Sequence, residues 1–378
     1  MKQIKYVIVL ITLFFAFSVA LGAAWTTKRL TNNAGYSFHP TIATSGEYVY
    51  VVWDDDSGGN TEIYFRRSLD NGATWQVAKR LAYNAGNSIN PRIAAYQANI
   101  YIVWYDDSTG NNEIYFRRST DHGATWQSTK RITYNAGISE YPRIAAYQNN
   151  VYIVWEDDTP GNDEVYFRKS ADTGATWQSA KRLTVNSNYS GMPDIAADGS
   201  NIYALYVDTA PGNSELYIKR SMDSGATWLA AQRLTNNSGF SMAQHIAAKG
   251  TNVYIAWSDN SSGNSEVFFR KSTDYGATWQ NAKRLTSNSG VSDCPVIAVS
   301  GVKIFVAWMD DTAGNYEVYF KKSANNGSTW QDYENLTNNK GAAYHPAIAV
   351  NSTNIYVTWD DDYQTPGVSD IYLKYSPL

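Results

Sequence analysis

The chain has 378 residues, of which 43% are hydrophobic and 14% aromatic, and it carries 31 Lys and Arg residues against 35 Asp and Glu residues. This composition is sufficient for a large core, and the near balance of charge excludes the basic surface of a typical nucleic-acid binder. Cys294 is the only cysteine, so an internal disulfide is excluded and stability has to come from packing. We interpret Cys294 as a partly buried core residue rather than a nucleophile, because no histidine-containing motif surrounds it.

Residues 1–24 are predicted to be a secretory targeting segment. Lys2 and Lys5 precede an apolar run over residues 6–19, and small residues dominate positions 20–24. These are the charged, apolar and cleavage regions of a signal peptide. The alternative is an uncleaved anchor, although the run is short for a membrane span. We therefore expect residues 25–378 to form the mature protein, secreted or at the cell surface, with no membrane contact beyond this segment.

A period of 51 residues runs through the rest of the chain. Two series of aromatic residues keep this step: Trp53, Trp104, Trp155, Tyr206, Trp257, Trp308 and Trp359, and Trp75, Trp126, Trp177, Trp228, Trp279 and Trp330. A period close to this, built from alternating apolar residues and Gly-rich turns, is typical of a β-propeller with one four-stranded blade per repeat. We predict an all-β fold with a single domain over residues 25–378. Positions shared by all repeats should build the blades, and positions that differ should carry the specific activity.

Each repeat contains four segments that are predicted to be strands A to D. In the second repeat they are Pro91–Ala95, Ile100–Trp104, Glu113–Ser119 and Thr125–Ile132, all rich in residues that suit a pleated surface. Strands A and B are the most apolar and should lie innermost, where neighbouring blades cover them. Strand D carries charge and should lie at the rim.

The turn between strands C and D is the most regular feature of the repeat. It reads Ser119-Thr-Asp-His-Gly-Ala-Thr-Trp126 in the second repeat and recurs in six repeats, with the acidic position occupied by Asp70, Asp121, Asp172, Asp223, Asp274 and Asn325. An Asp or Asn side chain can accept hydrogen bonds from the backbone of its own turn, Gly adopts positive φ easily, and the Trp anchors the turn by burial. The sequence therefore indicates a structural role for this turn.

The turn matches the Ser-x-Asp-x-Gly-x-Thr-Trp motif called the Asp box, and the chain from about residue 25 to residue 376 resembles the sialidase-like BNR-repeat propellers. In that family the Asp boxes are structural and lie on the face away from the catalytic site. The resemblance therefore implies a propeller here, with function on the opposite face.

The two ends of the chain are predicted to close the ring together. The seventh repeat ends at Ser376 without a strand D, whereas an isolated strand D, Trp25–Thr31, precedes the first repeat and parallels Trp75–Leu81. Pairing of these ends would complete a seventh blade and leave no unpaired edge at the seam. We predict a seven-bladed propeller of four-stranded antiparallel blades that acts as a monomer.

Acidic residues occupy two equivalent positions in every repeat, and we call each set of equivalent positions a column. One follows strand B (Asp55, Asp106, Asp157, Asp208, Asp259, Asp310 and Asp361), and the other opens strand C (Glu62, Glu113, Glu164, Glu215, Glu266, Glu317 and Asp370). We interpret the first as capping its own turn and the second as pairing with a base on an adjacent strand, such as Arg67 or Arg80. The alternative is a ring of calcium loops, but the spacing is not that of an EF-hand. We predict no cofactor and no structural metal.

Four columns break the uniformity, and all four lie at the start of strand A or the end of strand B. In a propeller these places share one face, opposite the C–D turns. The polar variants are concentrated in blades 1, 2, 3 and 7, whereas blades 4 to 6 supply mostly Val207, Met242, Val296 and Met309. The candidate ligand-binding residues are Arg92, Arg143, Tyr105, Glu140, Tyr141, Glu156, His39, Asp54, His345 and Asp360. A concave face with one charged and one apolar wall predicts a binding site, and the alternative is neutral drift on exposed loops.

The resemblance to sialidases also implies a catalytic alternative. Those enzymes use three Arg residues to hold a substrate carboxylate, a Tyr activated by Glu as nucleophile, and an Asp acid/base. Here Arg92 and Arg143 could form part of the clamp, with Tyr105 as nucleophile, Glu156 as its base and Asp54 as the acid. A third Arg is missing, because Asp194 and His245 follow in the same column, and those enzymes have six divergent blades rather than seven uniform ones.

We therefore favour a non-catalytic binding module whose ligand is a glycan. Aromatic faces stack on sugars, and Asp, Asn and Arg side chains bind hydroxyl groups. The alternatives are an exo-sialidase or another glycoside hydrolase with an Arg-lined pocket, and a scaffold that binds a surface protein.

Overall fold

The computed structural model describes residues 24–365 and 367–378, so the predicted targeting segment lies almost wholly outside the described part. All regular structure there is β-strand, arranged as seven four-stranded sheets. Blades 1 to 4 comprise β2–β5 (Ser37–Ser45, Tyr48–Asp55, Glu62–Ser68, Lys79–Arg80), β6–β9 (Ser88–Tyr96, Asn99–Asp106, Glu113–Ser119, Lys130–Arg131), β10–β13 (Ser139–Tyr147, Asn150–Asp157, Glu164–Ser170, Lys181–Arg182) and β14–β17 (Ser190–Asp198, Asn201–Asp208, Glu215–Ser221, Gln232–Arg233).

The remaining blades complete the ring. Blades 5 to 7 comprise β18–β21 (Ser241–Lys249, Asn252–Asp259, Glu266–Ser272, Lys283–Arg284), β22–β25 (Ser292–Ser300, Lys303–Asp310, Glu317–Ser323, Glu334–Asn335) and β26–β28 (Ala343–Val350, Asn354–Thr365, Val368–Pro377) with β1 (Thr26–Arg29). The predicted seven-bladed propeller is confirmed. No helix in the described residues has the length and apolar character that crossing a membrane requires.

The seam between the chain ends forms as predicted. β1 pairs antiparallel with β28, with Thr26 opposite Tyr375 and Arg29 opposite Tyr372. Beyond the strand, Leu30 N donates to the carbonyl of Ile371 over 2.7 Å. The N-terminal strand therefore completes blade 7, and the ring closes without leaving an edge of β28 unpaired.

Strand D differs from the prediction in length. The predicted segment Thr125–Ile132 contains only the two-residue strand Lys130–Arg131, whereas strand A is longer than predicted, at Ser88–Tyr96. The chain from Trp126 to Thr129 is held instead by single bonds, such as Gln127 N to the carbonyl of Arg118 over 3.0 Å. Short outer strands are a common way to keep a sheet edge from pairing with other chains.

The core lies between the blades. Strand B is the most buried element, and Trp155 of blade 3, which is 1% exposed, packs in one cluster with Tyr101 and Val103 of blade 2. The same arrangement recurs at the other blade junctions. Burial of each large apolar side chain contributes about 1.5–3 kcal/mol. The aromatic series that repeats every 51 residues is thus structural, as the sequence predicts.

The Asp boxes are structural as well. In the second box, Asp121 accepts hydrogen bonds from Thr125 N (2.9 Å) and Thr125 Oγ1 (2.5 Å), and Ser119 Oγ accepts from Gly123 N (2.8 Å). Trp126 then packs edge-on against Phe65 of the preceding blade, with ring centroids 4.9 Å apart. Each box therefore closes its own turn and ties one blade to the next.

The Asp boxes predict a specific acid sensitivity. Hydrogen bonds from Thr278 lower the pKa of Asp274 to about 2. A depressed pKa contributes stability that is present above the unfolded-state value of about 3.9 and is lost as the pH falls towards the folded-state value. Asp274→Asn, which copies the natural Asn325, should therefore lower the melting temperature near neutral pH but not in strong acid. Thermal unfolding of both proteins from neutral pH to strong acid checks this prediction. A difference in melting temperature that does not depend on pH would contradict it.

The two acidic columns are satisfied within the protein. Asp106 accepts from Ser88 Oγ (2.5 Å), Asn84 Nδ2 (2.7 Å) and Ser108 N (2.9 Å), which is the predicted turn capping. Glu62 is fully buried and accepts from Arg80 Nη2 over 2.6 Å.

Of the two proposed partners of Glu62, Arg80 is therefore correct and Arg67 is wrong. The Arg67 side chain lies further along strand C, where its Nε donates to Gln76 Oε1 over 2.8 Å. Within the described residues, no group of three or more His, Cys, Asp or Glu side chains is placed to hold a metal ion.

Candidate functional site

The variable columns converge on one end of the central channel, which we call the central mouth: the first residues of the seven A strands and the last residues of the seven B strands. Every A strand carries a β-bulge there, for example between Phe38 and Thr41. The residue in the bulge has positive φ in each blade, from 48° to 58°: His39, Asn90, Tyr141, Met192, Ala243, Cys294 and His345.

This conformation is uncommon for residues other than Gly, Asn and Asp, and such strain tends to collect at functional sites. The bulge also re-aims the side chain that it carries. The same backbone feature therefore presents one different side chain from each blade to the central mouth.

Two His–Asp pairs stand side by side where blades 7 and 1 meet. His39 Nδ1 lies 3.0 Å from Asp54 Oδ1, and His345 Nδ1 lies 2.9 Å from Asp360 Oδ1. The two imidazole ring centroids are only 4.4 Å apart. Both carboxylates are buried, whereas the His39 and His345 side chains are 30% and 43% exposed. The buried carboxylates thus orient both imidazole rings, and the exposed parts of the rings face the mouth.

The surroundings shift the pKa of one member of each His–Asp pair. Burial raises the pKa of Asp54, and the nearby Asp360 carboxylate adds to the effect, although the hydrogen bond from His39 opposes it. Burial alone would lower the pKa of His345, but its hydrogen bond to Asp360 and the charge of that carboxylate outweigh burial and raise the pKa above 6.5. His345 therefore holds its proton more strongly than an exposed histidine.

NMR titration should show the raised pKa of His345 directly. The stabilisation from the His345–Asp360 pair should be fully present below about pH 6.5 and should be lost as the pH rises through the folded-state pKa of His345. Asp360→Asn should lower that pKa. His122 is the internal control, because burial and the charge of Arg67 lower its pKa and it lies outside the mouth. Titration of His345 at or below the midpoint of His122 would contradict this.

Arg92 and Arg143 form the wall of blades 2 and 3. Arg143 Nε lies 3.6 Å from Asp194 Oδ1, and Asp194 is itself fixed by accepting from Ile246 N over 2.8 Å. Arg92 has no such partner: its Nη1 donates to the carbonyl of Pro91 over 2.8 Å, and no carboxylate of the described residues lies within 4.0 Å. Burial, together with the charge of Arg143, lowers the pKa of Arg92. A guanidinium nevertheless stays charged in proteins.

Glu156 has a partner that the sequence interpretation missed. It is 7% exposed and accepts hydrogen bonds from Met192 N (2.7 Å) and from the Tyr189 hydroxyl (3.1 Å). Burial raises the pKa of Glu156. Tyr189 belongs to a fifth variable column, directly before strand A (Tyr36, Asn87, Ile138, Tyr189, Phe240, Val291 and Ala342). That variability is the signal that could have identified it.

Tyr105 and Tyr141 form an aromatic pair beside this wall. Their ring centroids are 6.1 Å apart, at 61° to one another. Glu140 is tied to the B–C loop of blade 2 by accepting from Asn112 Nδ2 over 2.5 Å. Burial raises the pKa of Tyr105, so its phenol stays protonated. No hydrogen bond joins Tyr105 to Glu156 in the described part of the chain, so the nucleophile and base suggested by the sequence are not brought together.

The wall formed by blades 4 to 6 is less apolar than the sequence predicts. Val207 of blade 4 is buried, but the same region contains Asp194 and His245, whose Nδ1 accepts from Ile297 N at 3.4 Å. Cys294 is half-buried, and burial raises its pKa to about 12, so it is a protonated thiol. The mouth is therefore polar over most of its circumference, with a free guanidinium on one side and paired histidines on another.

A central mouth on a closed ring of Asp-box blades defines a BNR-type β-propeller. Residues 62–255 match the BNR repeat-like domain family, and the chain belongs to that family.

Two curated relatives are similar over part of their length. The chain is 25% identical over 252 residues to xyloglucanase Xgh74A of Acetivibrio thermocellus, covering 57% of this chain and 28% of that protein. It is 23% identical over 290 residues to a xyloglucanase of a Paenibacillus species, covering 74% of this chain and 24% of that protein. The chain thus spans about a quarter of the length of these relatives.

Several solved structures share the fold. An ulvan lyase bound to -[GlcA(1-4)Rha3S]- superimposes with a TM-score of 0.62 and 11% identity, covering 90% of this chain and 92% of that one. The phage phi92 endosialidase gives 0.59 with 11% identity, over 94% and 69%. The Trypanosoma rangeli sialidase in complex with the inhibitor DANA gives 0.56 with 12% identity, over 93% and 60%. At these identities the likeness concerns the fold alone.

Proposed function

We propose that this protein is a secreted or cell-surface binding module that holds an acidic glycan at the central mouth without cleaving it. The observation that carries the proposal is Arg92, a half-buried guanidinium with no carboxylate partner among the described residues. Leaving a charge partly desolvated and unpaired is costly, and proteins usually avoid it unless the charge has a ligand. A sugar carboxylate or sulfate group would supply the missing partner.

The chemistry around Arg92 suits such a ligand. A guanidinium binds a carboxylate through two parallel N–H donors, which fixes the orientation of the sugar as well as its charge. The Tyr105–Tyr141 pair offers aromatic faces for the sugar ring. The exposed edges of His39 and His345 add donors for hydroxyl groups. The ulvan lyase that shares this fold was solved bound to -[GlcA(1-4)Rha3S]-, which contains an acidic sugar.

A binding role is favoured over the catalytic alternative by the geometry of the candidate nucleophile. No carboxylate among the described residues is hydrogen-bonded to Tyr105, and burial raises rather than lowers the pKa of Tyr105. Arg143 is engaged by Asp194, so of the two described arginines in this wall of the mouth only Arg92 is free to hold a carboxylate. The three-Arg clamp implied by the family resemblance is therefore not assembled.

One contact supports a second candidate, a glycoside hydrolase. The Tyr189 hydroxyl donates to Glu156 over 3.1 Å, which is the phenol–carboxylate pair that the resemblance to sialidases implies. In that case Tyr189, and not Tyr105, would be the nucleophile, with Glu156 as its base.

A paired binding and turnover assay separates the two candidates. The protein should bind sialylated and uronate-containing oligosaccharides and should not bind matched neutral ones, with no reducing ends or unsaturated products released. Equal binding of neutral sugars, or no binding of acidic ones, would contradict the proposal. Release of product that Tyr189→Phe abolishes would establish the hydrolase instead.

A further inference from the structure

Six aromatic side chains form a continuous series across blades 6, 7 and 1, on the face that contains the central mouth. We call this series the aromatic arc, and in spatial order it comprises Tyr316, Tyr344, His345, His39, Phe38 and Tyr36. Neighbouring ring centroids lie 5.3 Å, 6.1 Å, 4.4 Å, 6.1 Å and 5.5 Å apart in this order. On the rest of the mouth, ring contacts among the described residues are limited to the Tyr105–Tyr141 pair. The aromatic rings are thus concentrated on one side.

The repeat itself does not require these aromatic residues. Tyr316 directly precedes the acidic position that opens strand C. The other blades have small or polar residues there: Thr61, Asn112, Asp163, Ser214, Ser265 and Ser369. Tyr36 directly precedes strand A, where blades 2 and 7 have Asn87 and Ala342. All seven blades nevertheless form four-stranded sheets. The aromatic arc therefore has no part in the packing that the blades share.

The aromatic arc is accessible to a ligand along its length. Tyr36 at one end is 42% exposed, and the His39 and His345 side chains at the centre are 30% and 43% exposed. The other three rings are half-buried. A half-buried ring is held in place by its packed part, and the remainder can contact a ligand. Aromatic side chains also have few rotatable bonds, so they lose little conformational entropy when a ligand packs on them.

The centre of the aromatic arc lies beside Arg92. Thr41 Oγ1 of blade 1 and Arg92 Nη1 of blade 2 donate to the same carbonyl, that of Pro91, over 3.3 Å and 2.8 Å. Thr41 follows His39 by two residues in β2, so the bulge that carries His39 is joined directly to the strand that carries Arg92. The charge of Arg92 also acts on the His345 imidazole, where it partly offsets the rise in pKa. The guanidinium and the centre of the arc therefore serve the same ligand position.

The aromatic arc continues from this centre in two directions, which we call its two arms. Phe38 and Tyr36 form the arm over blade 1, and Tyr344 and Tyr316 form the arm over blades 7 and 6. A sugar at the end of a chain has a neighbour on one side only, whereas a sugar within a chain has neighbours on both sides. An acidic sugar that is held by Arg92 uses both arms only if it lies within a chain.

We propose that the central mouth binds an acidic sugar that lies within a polysaccharide chain, with the flanking sugars packed against the two arms of the aromatic arc. This inference rests on the proposed function, because Arg92 has to hold the acidic sugar. The carboxylate or sulfate group of that sugar lies against the guanidinium, and its hydroxyl groups meet the exposed parts of the two imidazoles. The sugars on either side place their apolar faces on the Phe and Tyr rings. The ligand class is thus a polysaccharide with acidic sugars in its backbone.

Titration calorimetry with hyaluronan fragments tests the proposal, because glucuronate alternates with an uncharged sugar in these chains. The hexasaccharide should bind at least about tenfold more tightly than the disaccharide, since it can cover both arms. Tyr36→Ala and Tyr316→Ser copy the residues of blades 7 and 5, and each should lower this affinity ratio by roughly threefold or more. The matched control is Tyr275→Ser, which copies Ser224 on the Asp-box face and should leave the ratio unchanged.

The outcomes separate this inference from the proposed function. Arg92→Ala should weaken the binding of both fragments. No binding of either fragment, or binding that Arg92→Ala leaves unchanged, would overturn the proposed function and this inference with it. Binding that depends on Arg92 but is equally tight for both fragments would overturn only the inference. An affinity ratio that is insensitive to Tyr36→Ala or to Tyr316→Ser would do the same, because the chain would then cover one arm at most.

Discussion

Deleting Trp25–Thr31 should prevent the chain from folding as a monomeric ring. The deletion removes both partners of the buried Asp370, which is paired with Arg29 and accepts from Thr31 Oγ1 over 2.8 Å. It also removes Leu30, which is 3% exposed, from the core of the seam. An unpaired buried charge costs about 3–5 kcal/mol and a lost core leucine about 2–5 kcal/mol. Together these approach the total stability of a typical domain, about 5–15 kcal/mol.

Circular dichroism and size-exclusion chromatography check this expectation. The deletion should give unfolded protein or oligomers that pair through the exposed edge of β28. Two single-residue variants isolate the effect of the Thr31 hydroxyl group. Thr31→Ala removes a hydrogen bond to Asp370. Thr133→Ala, at the same repeat position in blade 2, removes only the acceptor for Ile114 N. Blade 1 naturally has Ala82 at this position, so the blade 2 variant should be mild. An unchanged melting temperature for the deletion would contradict closure through this strand.

Arg92→Ala should abolish the binding of acidic oligosaccharides. Truncating one member of a partly buried, hydrogen-bonded charge pair costs about 2–5 kcal/mol, which corresponds to roughly a 30-fold or larger rise in Kd. Arg92→Lys keeps the charge but not the two parallel donors and should lose part of the affinity. Titration calorimetry with a sialylated or uronate oligosaccharide measures each value.

The matched control is a cation outside the mouth. Lys249 is exposed at the end of strand A in blade 5, so Lys249→Ala makes the same change in net charge away from the site. Its Kd should equal that of the parent protein. An unchanged Kd for Arg92→Ala, or an equal loss for both variants, would show that Arg92 does not anchor the ligand.

The sequence was sufficient for most of the fold, and the physical reason is repetition. An error in one predicted strand changes the predicted fold little, because the same pattern of β-prone runs and Asp boxes recurs every 51 residues. The isolated segment Trp25–Thr31 can only complete the last blade. Strand D was predicted too long because apolar and charged alternation does not reveal whether the backbone pairs. In the structure only Lys130–Arg131 forms ladder pairs with strand C.

The candidate site was less accessible to sequence reasoning. Divergence among otherwise uniform repeats identified the mouth residues, and the structure brings Arg92, Arg143 and the two histidines to one face. The His39–Asp54 pair could not be foreseen, because direct register places Phe38 opposite Asp54 and only the bulge brings His39 to it. The Tyr189–Glu156 bond joins two blades, and a period of one repeat does not reveal such contacts.

The stoichiometry of glycan binding tests the central claim most directly, namely that uniform positions build the ring and divergent positions form one recognition site. Titration calorimetry with an acidic oligosaccharide should give one site per chain, and Arg92→Ala should remove it. Several equivalent sites per chain, insensitive to Arg92→Ala, would place binding in the repeated grooves between blades and contradict the account.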